Sequence, residues 1–196
     1  MLPGRPRIDV ASSPAARPMS RIADDELRAI LTQALARRLG PLGAHAIHEL
    51  WMRGEIGVNV NAALEQLWGR AAQSIPDWLP MRHIEWLPRV YRIAGRCRAQ
   101  ARGRSNIYVV LLDYHDRDGA DPYGVYVGMS HYSPGQRFDQ HKAGIRSAGS
   151  VLRRGLEVLT GPTQHLQQIA RADATRIEAQ LAELLRAEGL RVEGGH

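Results

Sequence analysis

The stretch from Asn106 to His141 determines the fold predicted for the second half of the chain. It opens with the apolar run Asn106-Ile107-Tyr108-Val109-Val110-Leu111-Leu112, which is continuous and rich in β-branched residues. Such a run predicts a central strand buried on both faces. After a loop with Asp-Gly and Asp-Pro turn signals, the run Gly124-Val125-Tyr126-Val127-Gly128-Met129-Ser130 predicts the partner strand of a hairpin. A helix from about Gly135 to Ser147 is expected next.

The residues before and after this stretch have different periodicities. Upstream, apolar residues recur at helical spacings of three to five and predict four helices, which are expected at Ser20–Arg38, at about Leu42–Arg53, from Asn59 or Asn61 to about Ala72, and at Met81–Arg102 with an interruption at Pro88. Downstream of the hairpin and its helix, the sequence predicts a short third strand and a long amphipathic helix, at Gly155–Leu159 and at about Asp173–Glu188.

These elements predict an α+β fold, with an all-helical N-terminal region followed by a small domain around a mostly antiparallel sheet. We expect a disordered tail at residues 1–20, a helical region of unassigned role at 21–103, and the β-hairpin, helix, third strand and helices at 104–196. The tail has no apolar core and does not read as a secretory signal. Because no apolar run reaches the ~20 residues of a membrane span and Cys97 is the single cysteine, a cytoplasmic protein without disulfides is expected.

The charge of the chain is positive and uneven. Its formal net charge is +6, and all but one of its 26 basic residues are arginine. The excess lies before residue 106. Arginine suits phosphate recognition, although genomic base composition would give the same bias. Arg89, Arg92 and Arg96 share one face of the fourth predicted helix, where they form either an ordinary solvated surface or a phosphate-tracking stripe. Lys142 is a further candidate phosphate contact.

The tyrosine-bearing runs resemble the motifs of the GIY-YIG nuclease family. The resemblance rests on Asn106-Ile107-Tyr108, on Tyr126-Val127-Gly128, on an Arg-x-x-x-His helix and on a later helical glutamate, and it covers about residues 105–196. It implies a divalent-metal-dependent endonuclease that hydrolyses nucleic-acid phosphodiester bonds, with Mg²⁺ or Mn²⁺ as cofactor and DNA expected over RNA. Carried over by position, the catalytic residues are Tyr108, Tyr126, Arg137, His141 and Glu178, and Glu178 is also the metal ligand.

The chemistry of phosphodiester cleavage agrees with these residue types. The reaction needs a base for water, a cation to neutralise developing charge and help for the leaving oxygen. A tyrosine with a pKa near ~10 is a poor base at neutral pH, unless a metal-bound water or a nearby cation favours its phenolate. Arg137 and His141 lie four residues apart and therefore share one helix face. One carboxylate, with water and phosphate, is enough for Mg²⁺.

Several points remain open at this level. Glu183 competes with Glu178 as the metal ligand, and Asn106 stands where the family has its first glycine. The family's asparagine after the glutamate helix has no match, and His196 is the candidate replacement.

The alternative function is a nucleic-acid-binding or scaffolding protein that keeps the nuclease fold with little or no catalysis. The N-terminal helices are expected to bind nucleic acid, to dock a protein partner or to dimerise. A third interpretation, in which these helices inhibit the domain, would make the enzyme a toxin or defence factor.

Overall fold

The computed structural model describes residues 8–54, 60–117 and 121–195. Within these ranges the fold is α+β, with eight α-helices and one mixed four-stranded sheet. The chain divides into two compact units, Met1–Glu85 and Trp86–His196. No helix in the described ranges has the length and apolar character needed to cross a membrane.

The first unit is helical, as the sequence predicts. It contains α1 (Asp24–Arg37), α2 (Gly40–Met52) and α3 (Val60–Ala71). Acidic residues occupy the first turn of α1, where they complement the helix dipole. The start of α3 cannot be assigned to either predicted cap, because Asn59 lies outside the described residues and Asn61 is already within the helix.

The predicted disordered tail is wrong for residues 8–20. A short 3-10 helix spans Pro14–Ala16, and Met19 is completely buried. Arg17 donates to Glu49 at 2.6 Å, and Arg53 donates to the same carboxylate at 2.8 Å. Burial opposes ionisation of Glu49, but the two guanidinium groups hold its pKa below the ordinary value. The tail is ordered because it satisfies this buried carboxylate; residues 1–7 lie outside the described ranges.

The fourth predicted helix is much shorter than expected. The helix α4 spans Leu87–Ala94, so Pro88 lies in its first turn, where a missing N–H costs nothing. Arg96 and the buried thiol of Cys97 follow the helix rather than forming part of it. Because α4 packs against later helices of the second unit, the division falls after Glu85 and not at residue 103.

The second unit is built on a sheet with strand order β3-β1-β2-β4. Its strands are β1 (Arg102–Asp113), β2 (Tyr123–Ser130), β3 (Gly155–Val158) and β4 (Val192–Gly194). The central strand β1 is antiparallel to β2 and β3 and is buried from Ser105 to Leu112, which confirms the predicted hairpin and third strand. The short β4, parallel to β2, was not predicted.

Helices cover this sheet. They are α5 (Pro134–Lys142), α6 (Gly149–Arg154), α7 (Thr160–Thr163) and α8 (Arg171–Ala187). The predicted helix 135–147 ends early, because Gly144 and Arg146 adopt left-handed backbone conformations with φ of 77° and 45°, which end a helix. The long helix near the C-terminus is confirmed as α8, while α6 was missed.

Candidate active site

The register of the hairpin brings the two tyrosines onto one face of the sheet. Tyr108 lies directly opposite Gly128, and Tyr126 lies opposite Val110. The tyrosines are therefore diagonal cross-strand neighbours, a relationship that allows aromatic rings to touch. Their ring centroids are 6.0 Å apart.

His141 completes a triangle of rings with these tyrosines. The helix α5 that carries it begins with a capping box, in which Ser133 and Gln136 satisfy each other's backbone N–H groups. The imidazole centroid lies 6.1 Å from that of Tyr108 and 5.8 Å from that of Tyr126. We call these three residues the ring triangle.

Gly128 makes room for the ring triangle. A Cβ atom at this position would lie 2.6 Å from both Cζ and Oη of Tyr108 and 2.7 Å from Cε1 of Tyr126. Such distances are well inside van der Waals contact, so any side chain here would displace both rings. The glycine of the second motif is therefore required by close packing beneath the tyrosines.

The hydrogen bonds of the ring triangle have a defined direction. The backbone N–H of Ala148 donates to Nδ1 of His141 at 2.9 Å, so in the neutral imidazole the proton lies on Nε2. That nitrogen is 2.9 Å from the Tyr108 hydroxyl and donates to it. A side-chain hydrogen-bond interaction between the two phenols acts to raise the pKa of Tyr108 and to lower that of Tyr126.

Burial controls the protonation states of these groups. His141 is buried, and desolvation, followed by the nearby charge of Arg137, lowers its pKa from 6.5 to about 4. It is therefore neutral at neutral pH, as the tautomer above requires. Burial raises the pKa of Tyr108 and, despite the opposing hydrogen bond, also that of Tyr126. Tyr108 is almost completely buried and Tyr126 is half-buried.

Arg137 lies beside the ring triangle on α5. Its guanidinium donates to Gln140 Oε1 at 3.1 Å and to the backbone carbonyls of Ile145 at 3.3 Å and Arg146 at 2.8 Å. Its positive charge also acts to lower the pKa of Tyr108 and that of Tyr126. The loop that ends α5 early therefore fixes the orientation of this arginine.

Glu178 reaches the same place from α8. Only 9% of the residue is exposed, and burial raises its pKa, while a backbone hydrogen bond from Met129 acts in the opposite direction. Its charge contributes to the raised pKa of Tyr126, so the carboxylate and this phenol are electrostatically coupled. Glu183, the competing candidate, is exposed. All five predicted catalytic residues thus belong to one cluster.

The cluster offers one hard ligand for a divalent ion. Among the described residues there is no group of three or more His, Cys, Asp or Glu side chains that could hold a metal. A buried carboxylate whose ionisation is opposed by desolvation gains from a neighbouring cation. Since Mg²⁺ commonly binds through one or two carboxylates together with water and substrate phosphate, Glu178 fits an ion that arrives with the substrate.

The predicted nucleic-acid-binding residues lie apart from these contacts. Arg89 donates to the backbone carbonyl of Glu188 at 3.1 Å, and Arg92 pairs with its carboxylate at 3.1 Å. Arg96 is exposed beyond the end of α4, so the predicted three-residue helical stripe is wrong. Lys142 donates to the carbonyls of Leu152 and Gly155 at 3.2 and 3.1 Å, which ties α5 to α6 and β3.

Two supporting residues were not singled out from the sequence. The N–H of Ala148 sets the tautomer of His141, and only the fold could place it there. Asn106, treated as a neutral departure from the family glycine, donates to the carbonyl of Tyr132 at 2.9 Å and accepts the N–H of Gln168 at 2.9 Å. It therefore holds loops on both sides of β1. His196, the candidate replacement for the family asparagine, lies outside the described residues.

Comparisons of the chain with family models, with curated proteins and with solved structures found no match.

Proposed function

We propose that residues 86–196 form a divalent-metal-dependent endonuclease that hydrolyses phosphodiester bonds in nucleic acid, with DNA expected over RNA. The observation that carries the proposal is the ring triangle, in which Nε2 of His141 donates to Tyr108 and the ring of Tyr126 packs beside both. The residues that flank it, Arg137 and Glu178, supply the positive charge and the hard oxygen ligand that phosphodiester cleavage requires. The resemblance to GIY-YIG nucleases selects the same five residues.

Different surroundings assign different roles to the two tyrosines. Tyr108 is almost completely buried and is the partner of His141 Nε2, so it serves to position its neighbour. Tyr126 is half-buried, and its ring is the more accessible of the two. Burial raises its pKa, whereas the interaction with Tyr108 and the charge of Arg137 act in the direction of a phenolate. We therefore assign Tyr126 as the general base for the attacking water.

Arg137 is the group that holds the phosphate. Its planar guanidinium can donate to two phosphate oxygens at once. The carbonyls of Ile145 and Arg146 fix its orientation before substrate binds, which avoids reorganisation when negative charge develops. A divalent ion at Glu178, when bound, would supply further positive charge to the phosphate oxygens.

Cleavage assays on the full chain test the proposal. Purified protein is incubated with supercoiled plasmid and separately with a structured RNA, in buffer with Mg²⁺, with Mn²⁺ or with chelator. The proposal predicts strand breaks in the DNA that need the metal. Absence of cleavage of either nucleic acid under all metal conditions would reject it.

A second candidate function is a nucleic-acid-binding or scaffolding protein with the same fold and little catalysis. One observation favours it: burial raises the pKa of both Tyr108 and Tyr126, which disfavours a phenolate base. This candidate predicts nucleic-acid binding that persists in chelator and never produces strand breaks. The same incubations, analysed by gel shift and by strand cleavage, therefore separate the two functions.

A further inference from the structure

An exposed aromatic residue stands at the entrance of the helix that carries Arg137. Tyr132, in the turn between β2 and α5, is 40% exposed. The imidazole of His131 packs against it, with ring centroids 4.0 Å apart and planes inclined by 38°. We call His131 and Tyr132 the stacked pair. With His131 packed against the ring, 40% of Tyr132 is still exposed.

The backbone of Tyr132 is fixed at both ends. Its N–H donates to the hydroxyl of Ser130 at 3.1 Å, and its carbonyl accepts the side-chain amide of Asn106 at 2.9 Å. The Asn106 amide oxygen is itself held by the N–H of Gln168. Here the ring is presented on a preorganised backbone, which reduces the entropy lost on binding a ligand.

The turn that carries the stacked pair is anchored to β1, the strand that also carries Tyr108. Asn106 and Tyr108 are two residues apart on β1 and point to the same face of the sheet, a separation of ~7 Å along the strand. Because the Asn106 side chain bonds the Tyr132 carbonyl, the stacked pair borders the cluster at the end where α5 begins. Arg137 lies one turn into that helix.

We propose that the stacked pair is a platform for an unpaired nucleobase next to the phosphate bound by Arg137, an inference that rests on the proposed nuclease function. A nucleotide has a flat base and an anionic phosphate; the turn that leads into α5 offers a flat ring, and α5 itself carries Arg137, whose guanidinium is held by the carbonyls of Ile145 and Arg146. Stacking on aromatic side chains is strong and tolerant of sequence. Bases within a duplex are already stacked on their neighbours and cannot use the platform. The substrate class is therefore single-stranded DNA or a junction with unpaired nucleotides.

Binding measurements in chelator, where cleavage is suppressed, test the platform on the full chain. The probes are a fluorescent single strand, a blunt duplex of the same sequence and that duplex with an unpaired extension. Binding of each probe is measured by fluorescence anisotropy. Tyr132→Ala is expected to weaken binding of the single strand and the extended duplex by about tenfold, with the blunt duplex unchanged. Tyr132→Trp keeps a stacking surface and is expected to retain the affinity.

Leu152→Ala is the matched control, because Leu152 is also 40% exposed but is aliphatic and lies on α6; its affinities are expected to match the wild type. Equal affinities of Tyr132→Ala and wild type for the unpaired probes would overturn the platform, as would equal losses on all three probes. If the wild type cleaves DNA and Tyr132→Ala binds normally, the platform proposal is rejected and the nuclease proposal is retained. If binding depends on Tyr132 but no strand is ever cut, the nuclease proposal is rejected and the platform proposal is retained.

Discussion

The Tyr108 hydroxyl and Nε2 of His141 lie 2.9 Å apart in a site where both residues are almost completely buried. Because the other imidazole nitrogen accepts the N–H of Ala148, histidine is the donor in this pair and not the base. With Nδ1 and Nε2 both engaged in this way, the neutral histidine cannot itself take a proton from water. This relationship leads to predictions that differ from those of a conventional histidine base.

Removing single hydroxyl groups should distinguish the roles of the two tyrosines. Tyr126→Phe is expected to lower the single-turnover cleavage rate by about 100- to 1000-fold, the typical loss of a catalytic base. Tyr108→Phe leaves the Nε2–H of His141 without an acceptor and should lower the free energy of unfolding by about 1–3 kcal/mol. Its cleavage rate should fall less, about tenfold. Urea unfolding and quenched-flow cleavage measure the two effects; a larger rate loss in Tyr108→Phe than in Tyr126→Phe would reverse the assignment.

The protonation of His141 should be visible by NMR. The imidazole is expected to show the Nε2–H tautomer at neutral pH and to titrate with a pKa of about 4, below the ~6.5 of an unfolded chain. Since the folded pKa is lowered, stability from neutral His141 is present above pH ~6.5 and is lost as pH falls toward about 4, by up to roughly 3 kcal/mol.

A His141→Gln variant provides the control for this pH dependence. Its stability should fall less steeply with acid than that of the wild type over the same interval. His48, a buried histidine of the first unit whose pKa is also lowered to about 4, contributes equally in both proteins. A His141 resonance that titrates near ~6.5 would contradict the assigned hydrogen bonds.

Gly128 should not tolerate a methyl group. Gly128→Ala places Cβ within 2.7 Å of both tyrosine rings, and overpacking of this kind costs about 1–3 kcal/mol. We expect this loss of stability together with at least a tenfold loss of cleavage, measured by thermal melting and by plasmid nicking. Gly135→Ala is the control, because its Cβ meets nothing within 4 Å and alanine favours the helix. Equal behaviour of the two variants would show that the rings do not need this glycine.

Glu178 should be retained for function at a cost in stability. Burial raises its pKa, so the folded state binds the proton more tightly than the unfolded state, and the ionised form at neutral pH opposes folding. Glu178→Gln, which keeps an acceptor for the Met129 N–H, should therefore raise the melting temperature at pH 7. Loss of this metal ligand should slow metal-dependent cleavage by about 100-fold or more.

The stability gain in Glu178→Gln should shrink as pH falls, because the wild-type carboxyl then becomes protonated. Glu183→Gln, an exposed substitution on the same helix, should change neither melting temperature nor cleavage. A lower melting temperature for Glu178→Gln at pH 7 would contradict the effect of burial described here.

The elements of the second unit were predictable where a local pattern determines them. The continuous apolar run of β1 and the amphipathic period of α8 can each be identified from a short window. The strand β4 has only three residues and forms because the chain after α8 returns to the exposed edge of β2. The turn that ends α5 depends on a left-handed backbone conformation at Arg146. This conformation is uncommon for a non-glycine residue, so the sequence does not predict it.

The sequence could nominate the members of the candidate cluster but not their internal contacts. The resemblance selected Tyr108, Tyr126, His141, Arg137 and Glu178, and residue spacing could place Arg137 and His141 on one helix face. The tautomer of His141 depends on the N–H of Ala148, seven residues along the chain and beyond a turn. The predicted helical stripe of Arg89, Arg92 and Arg96 failed because α4 ends at Ala94, before Arg96. The contacts of Arg89 and Arg92 with Glu188, nearly a hundred residues away, could not be predicted from a local pattern.

The most direct test of the central claim is the rate of Mg²⁺-dependent plasmid nicking by the wild type, by Arg137→Ala and by Arg153→Ala. Arg153 is an exposed arginine on α6 and controls for lost positive charge. We predict that wild type and Arg153→Ala nick at similar rates, that Arg137→Ala is at least about 100-fold slower, and that chelator stops all three. Nicking by Arg137→Ala at the wild-type rate would show that this cluster is not the active site.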